Sequence, residues 1–129
     1  MSDYLKCVTP VDGSVYVERP LASGADIEAA LGRAREARES WSRVPVEERC
    51  ALLAAAVDAF VAEKSAIAEE ISWQMGRPVS QSPGEVGGFE ERARHMLAIA
   101  PEVLADIAVE PKEGFTRFVR RLQIGRAHV

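Results

Sequence analysis

Cysteine and histidine are scarce in these 129 residues: two cysteines, Cys7 and Cys50, and two histidines, His95 and His128. Two thiols 43 positions apart make neither a disulfide framework nor a zinc knuckle, and no Cys–His pair stands at metal-ligand spacing. They read as small buried or half-buried thiols in a reducing cytosol. Aromatic residues make up only 6% of the chain. Basic residues are outnumbered 16 to 20 by acidic ones, for a net charge of −4, which supplies no field for nucleic acid or an anionic membrane. No apolar run approaches the roughly 20 residues needed to span a bilayer. Met1-Ser2-Asp3-Tyr4 lacks the basic region and apolar core of a secretory signal, so the expected location is cytoplasmic.

What is present is a soluble, alanine-rich pattern: 47% hydrophobic residues and 20 alanines, a composition suited to tight helix packing. Two β-prone runs, Tyr4–Val8 and Val15–Val17, flank Asp12-Gly13, which predicts a hairpin with a two-residue turn and positive φ at both turn residues. Pro20 closes the second strand. Ser23 with Asp26 three positions on predicts a capping box for a first helix whose apolar stripe is Ile27, Leu31, Ala34 and Trp41. Pro45 is placed for the first turn of a second helix. Leu52, Leu53, Ala56 and Phe60 form one stripe; Ile67, Ile71 and Met75 form another. The pattern therefore predicts two consecutive helices bent near Lys64, with Ser65 capping the later one. Gly76 is placed as a left-handed C-cap and Pro78 prevents resumption.

Ser82-Pro83-Gly84-Glu85 predicts another helix start, with Ser82 as cap and Glu85 as its reciprocal partner. The stripe Val86, Phe89, Ala93, Met96, Leu97 and Ala100 continues to about Asp106, bent or restarted at Pro101. Gly87-Gly88 costs that helix roughly 1 kcal/mol per glycine, which suggests close approach of another backbone. Residues 110–114 form a polar linker, and 115–120 read as a strand with nothing left to pair it.

Few side chains offer chemistry. Glu47 and Glu48 open a helix, where carboxylates complement the macrodipole. His95 has Glu91 as its expected partner one turn back, and reads as a surface or interface imidazole rather than a general base. Met75-Gly76-Arg77-Pro78 closes a helix, whereas a phosphate cradle needs glycines that open one. Trp41 and Trp73 read as anchors on separate helices. No nucleophile, base and oxyanion hole come together, so the residues assign no catalytic, cofactor-binding or metal position.

Six short motifs, in order, resemble the aldehyde dehydrogenase superfamily. Thr9-Pro10-Val11-Asp12-Gly13 resembles the hairpin that opens these enzymes. Ala25–Leu31 through Trp41 resembles their first helix, and Glu48-Arg49 followed by Leu52-Leu53 their second. Gln74-Met75-Gly76-Arg77-Pro78 stands where the family carries an "E-x-G-K-P" stop. Glu85-Val86 with Arg94-His95-Met96 falls on the third helix, and Gly114–Arg121 resembles the strand that leaves for the oligomerisation sheet. Thr9 replaces the usual Asn, Arg77 the usual Lys, and Leu122-Gln123 departs from the family's "E-P-L-G-V".

The resemblance implies an α/β parent with a Rossmann-type cofactor domain, of which this piece is mostly α with an N-terminal β-hairpin and a C-terminal strand. Residues 1–112 would belong to the cofactor-binding domain and 113–122 to the first oligomerisation strand. The implied reaction is oxidation of a small-molecule aldehyde to a carboxylic acid. A cysteine thiohemiacetal would pass hydride to NAD or NADP, in a homodimer or homotetramer. The family's nucleophilic Cys, general-base Glu and nicotinamide loop fall beyond Arg121, so no catalytic or cofactor residue carries over, and this piece alone is expected to be inactive and loosely folded. Glu85 matches a position that in some members lies near a structural monovalent cation. Residues 123–129 are what one frame of a common sequencing-adapter DNA encodes, so that tail is expected to be non-native. A second reading, from another class, is a stand-alone helical module that adds the 115–120 strand to a partner's sheet edge.

Overall fold

The computed structural model describes residues 4–121. Its order is β1 (Tyr4–Val8), β2 (Val15–Pro20), α1 (Gly24–Trp41), α2 (Val46–Ala62), α3 (Lys64–Met75), α4 (Pro83–Val103), β3 (Ile107–Ala108) and β4 (Phe118–Val119). The non-native tail expected at 123–129 lies outside the described residues.

Strands β1 and β2 pair antiparallel, from Tyr4 opposite Pro20 to Val8 opposite Val15, with a bulge at Cys7/Val8. The hairpin forms where the sequence places it, but its turn is not the two-residue type. Six residues, 9–14, connect the strands. Only Gly13 takes a positive φ, at 78°; Asp12 does not. Asp12 contributes through its side chain, accepting the Ser14 N–H at 2.9 Å, and this bond holds its carboxyl below the ordinary aspartate value. The loop is closed by Thr9 N–H to Ser14 O at 2.9 Å and Gly13 N–H to Thr9 O at 3.0 Å.

Helix α1 begins as the Ser23/Asp26 pair requires. The Asp26 N–H donates to Ser23 Oγ at 3.2 Å and the Ser23 N–H donates to Asp26 Oδ2 at 3.0 Å. Pro45 stands one position outside α2, as its N-cap, so Val46 opens that helix. The bend near Lys64 falls at Glu63, which ends α2 and begins α3; Ser65 therefore lies inside the first turn and caps nothing. Helix α3 stops at Gly76, φ 71°, whose N–H donates to Ser72 O at 2.9 Å.

Helix α4 starts at Pro83, but Ser82 is itself helical (φ −58°, ψ −35°) and makes no cap bond. Its hydroxyl is directed away, toward Ser72 of α3. Pro101 neither breaks nor restarts the helix, which ends two residues later at Val103 rather than near Asp106. Proline has no N–H to donate to the Leu97 carbonyl one turn back. The Cys50 thiol of α2 donates to that carbonyl instead, at 3.7 Å. Gly87 and Gly88 face open space, with no atom within 4 Å of an added Cβ, so no backbone approaches them among the described residues.

Among the described residues the buried apolar ones are Val57 on α2, Ala68 on α3 and Val86 on α4. Phe60 and Phe89 meet at 4.5 Å between ring centres, tilted by 54°, and Arg94 bonds Asp58 at 2.7 Å, tying α4 to α2 twice more. Much of the apolar stripe surface stays open: Leu52, Leu53, Met75 and Met96 are all exposed. Among the described residues no helix is long and apolar enough to cross a membrane.

The 115–120 strand is not left unpaired. Its middle, β4, pairs antiparallel with β3, Ile107 opposite Val119 and Ala108 opposite Phe118. The polar linker is the turn of this hairpin, with Gly114 at φ 76°. Asp106 accepts from Arg120 at 2.7 and 3.0 Å and clamps its base.

Candidate functional site

Among the described residues the buried polar ones, Thr9 and Ser82, lie where the hairpin loop meets the end of α3 and the start of α4. The Thr9 hydroxyl, 1% exposed, donates to the Trp73 carbonyl near the C-terminus of α3 and accepts the Val11 N–H at 3.2 Å. Helix ends leave carbonyls unsatisfied, and a β-hydroxyl delivered by the neighbouring loop satisfies one of them. Pro10 packs on Gly76 so closely that a Cβ there would lie 2.6 Å from Pro10 Cγ. Tyr16 of β2 stacks on Trp73, centres 5.8 Å apart and planes 6° from parallel, and donates its hydroxyl to Glu70 at 2.9 Å. That bond to a carboxylate holds the Tyr16 phenol above its ordinary value.

Ser82, fully buried, lies 2.8 Å from Ser72 Oγ, and Ser72 donates to Ala68 O at 3.0 Å. The hydroxyl that the sequence offers as a cap for α4 is thus taken up in joining α4 to α3. Glu85, offered as the reciprocal capping residue, pairs instead with Arg77 at 2.8 Å, both side chains well exposed. A carboxylate neutralised by a guanidinium is a poor cation ligand, and no group of three or more His, Cys, Asp or Glu suited to a metal occurs among the described residues.

The starts of α1, α2 and α4 do not suit a dinucleotide phosphate, which needs free N–H groups and no nearby carboxylate. Helix α1 is closed by its own Asp26, and α2 carries Glu47 and Glu48 in its first turn. At α4 the Gly84 and Glu85 N–H groups already donate to Gln81 O and Ser82 O. His95 and Glu91 are both exposed and form no ion pair. The neighbouring Arg94 pairs within its helix, with Glu90 at 2.9 Å, and across to Asp58. The Glu90–Arg94 spacing was visible in the sequence, whereas Asp58, 36 positions away, gave no signal. Cys7 and Cys50 are free, half-buried thiols that point at backbone carbonyls. These contacts join secondary-structure elements: the hairpin loop to α3, α3 to α4, and α4 to α2.

The model of the aldehyde dehydrogenase family matches residues 1–129. The chain belongs to the aldehyde dehydrogenase family. Malonate-semialdehyde dehydrogenase 1 of Bacillus licheniformis is 33% identical over 79 residues, which are 61% of this chain and 16% of that protein. A long-chain-aldehyde dehydrogenase of an Acinetobacter species is 32% identical over 79 residues, with the same shares. Among solved structures, a candidate aldehyde dehydrogenase from Burkholderia cenocepacia superposes with a TM-score of 0.82 at 29% identity, covering 92% of this chain and 24% of that one. PnpE, solved in complex with nicotinamide adenine dinucleotide, gives 0.77 at 25% identity, over 86% of this chain and 23% of that one. The chain thus spans about a sixth of the curated relatives it matches and about a quarter of the solved ones. The family whose model matches is the one that the order of motifs in the sequence resembles.

Proposed function

We propose that this chain is the N-terminal part of an enzyme that oxidises an aldehyde to a carboxylic acid with NAD or NADP, through a cysteine thiohemiacetal. The superposition on the Burkholderia cenocepacia structure over 92% of the chain carries this reading. Malonate-semialdehyde and long-chain aldehydes, named for two relatives, mark the breadth of substrates such a parent accepts. Residues 1–112 build part of the cofactor-binding domain, and 113–122 supply the first strand of a sheet shared between subunits of a homodimer or homotetramer in the cytoplasm. None of the catalytic, cofactor or metal positions falls within the chain, whose share of the work is a scaffold of helices. The open stripes on α2 and α4 suit that role, because each Å² of apolar surface removed from water contributes about 25 cal/mol.

The test is to recover the complete gene from the source DNA, express its product, and follow NADH or NADPH formation over a panel of aldehydes. Aldehyde-dependent reduction by the complete product, with none by residues 1–121, is the expected result. A complete product that reduces neither cofactor with any aldehyde overturns the proposal and favours the interaction-module reading.

A further inference from the structure

We draw no further inference here: the strongest candidate, the apolar groove between α2 and α3 lined by Phe60, Ala66, Ile67, Ile71 and Met75, is an unpartnered helix face, and nothing in the structure shows what covers it.

Discussion

Helix α1 and the junction between the hairpin and α3 hold themselves together by opposite means. Helix α1 has the better local signals: a complete capping box, an acidic first turn and a basic last turn. Yet it buries no residue, and Ile27 and Leu31 of its apolar stripe stay 50% and 45% exposed. The junction draws on local signals only in part: Gly76 caps α3, but Ser82 makes no cap bond to α4. It nevertheless contains Thr9 and Ser82, the described residues with the least exposed polar side chains. Good caps therefore make a helix, and they do not make it pack. Packing depends on shape and on orphaned polar atoms finding partners from distant parts of the chain.

The sharpest way to break this contrast is a methyl group at Gly76. Gly76→Ala places a Cβ against Pro10 and forces an alanine into a left-handed conformation. Together these effects should cost about 3 kcal/mol. Gly13→Ala has nearly the same φ, 78°, and open space around it, so it should cost only about 1 kcal/mol. Hydrogen exchange of the α3 amides measures both; equal losses would remove the Pro10 contact from the account. Next in size, Val86→Ala should cost about 2 kcal/mol, because a 2% exposed side chain leaves a cavity between helices. Leu31→Ala on α1 should stay within about 0.5 kcal/mol. A similar loss at both positions, read from urea titrations of far-UV dichroism, would show that α1 is packed after all.

Ser23→Ala should weaken α1 by about 1 kcal/mol and leave α3 untouched. Site-resolved NMR shifts that moved in both helices would contradict the independence of the two regions. The smallest effect expected is one of pH. Hydrogen bonds from the Ser23 hydroxyl and N–H hold the Asp26 carboxyl below its ordinary value. A carboxyl lowered by folding adds stability at neutral pH, and that contribution is lost as pH falls through the lowered value. Acid should therefore fray the start of α1, and Ser23→Ala should weaken the dependence without removing it, because the residue 23 N–H still reaches Asp26, as carbon shifts of residues 24–27 would report.

Much of the fold was legible beforehand because its signals are local. Ser23 with Asp26, Gly76 before Pro78, and Pro83 at a helix start each act within one turn of chain. The motif order carried the family as well. The errors share a cause. Ser65 and Ser82 are good capping residues, but Glu63 lets α3 start two residues early, and the Ser82 hydroxyl is taken by Ser72 ten positions away. Pro101 looked like a break because nothing in sequence announces that Cys50 covers the Leu97 carbonyl. Asp12-Gly13 looked like a two-residue turn until Thr9 closed a wider loop. The strand at 115–120 looked unpaired because only two residues, Ile107 and Ala108, make its partner.

By itself, then, the sequence determined where the chain turns, where its helices begin and end to within a few residues, and which family it resembles. Backbone conformation and capping depend on neighbours in sequence, and those are fully written there. Only the tertiary structure decided which polar groups are consumed in joining elements: Thr9 with Trp73, Ser82 with Ser72, Glu85 with Arg77, Arg94 with Asp58. A side chain offers the same hydrogen-bonding atoms to a local cap and to a distant carbonyl, and the one it meets is set by how whole helices pack.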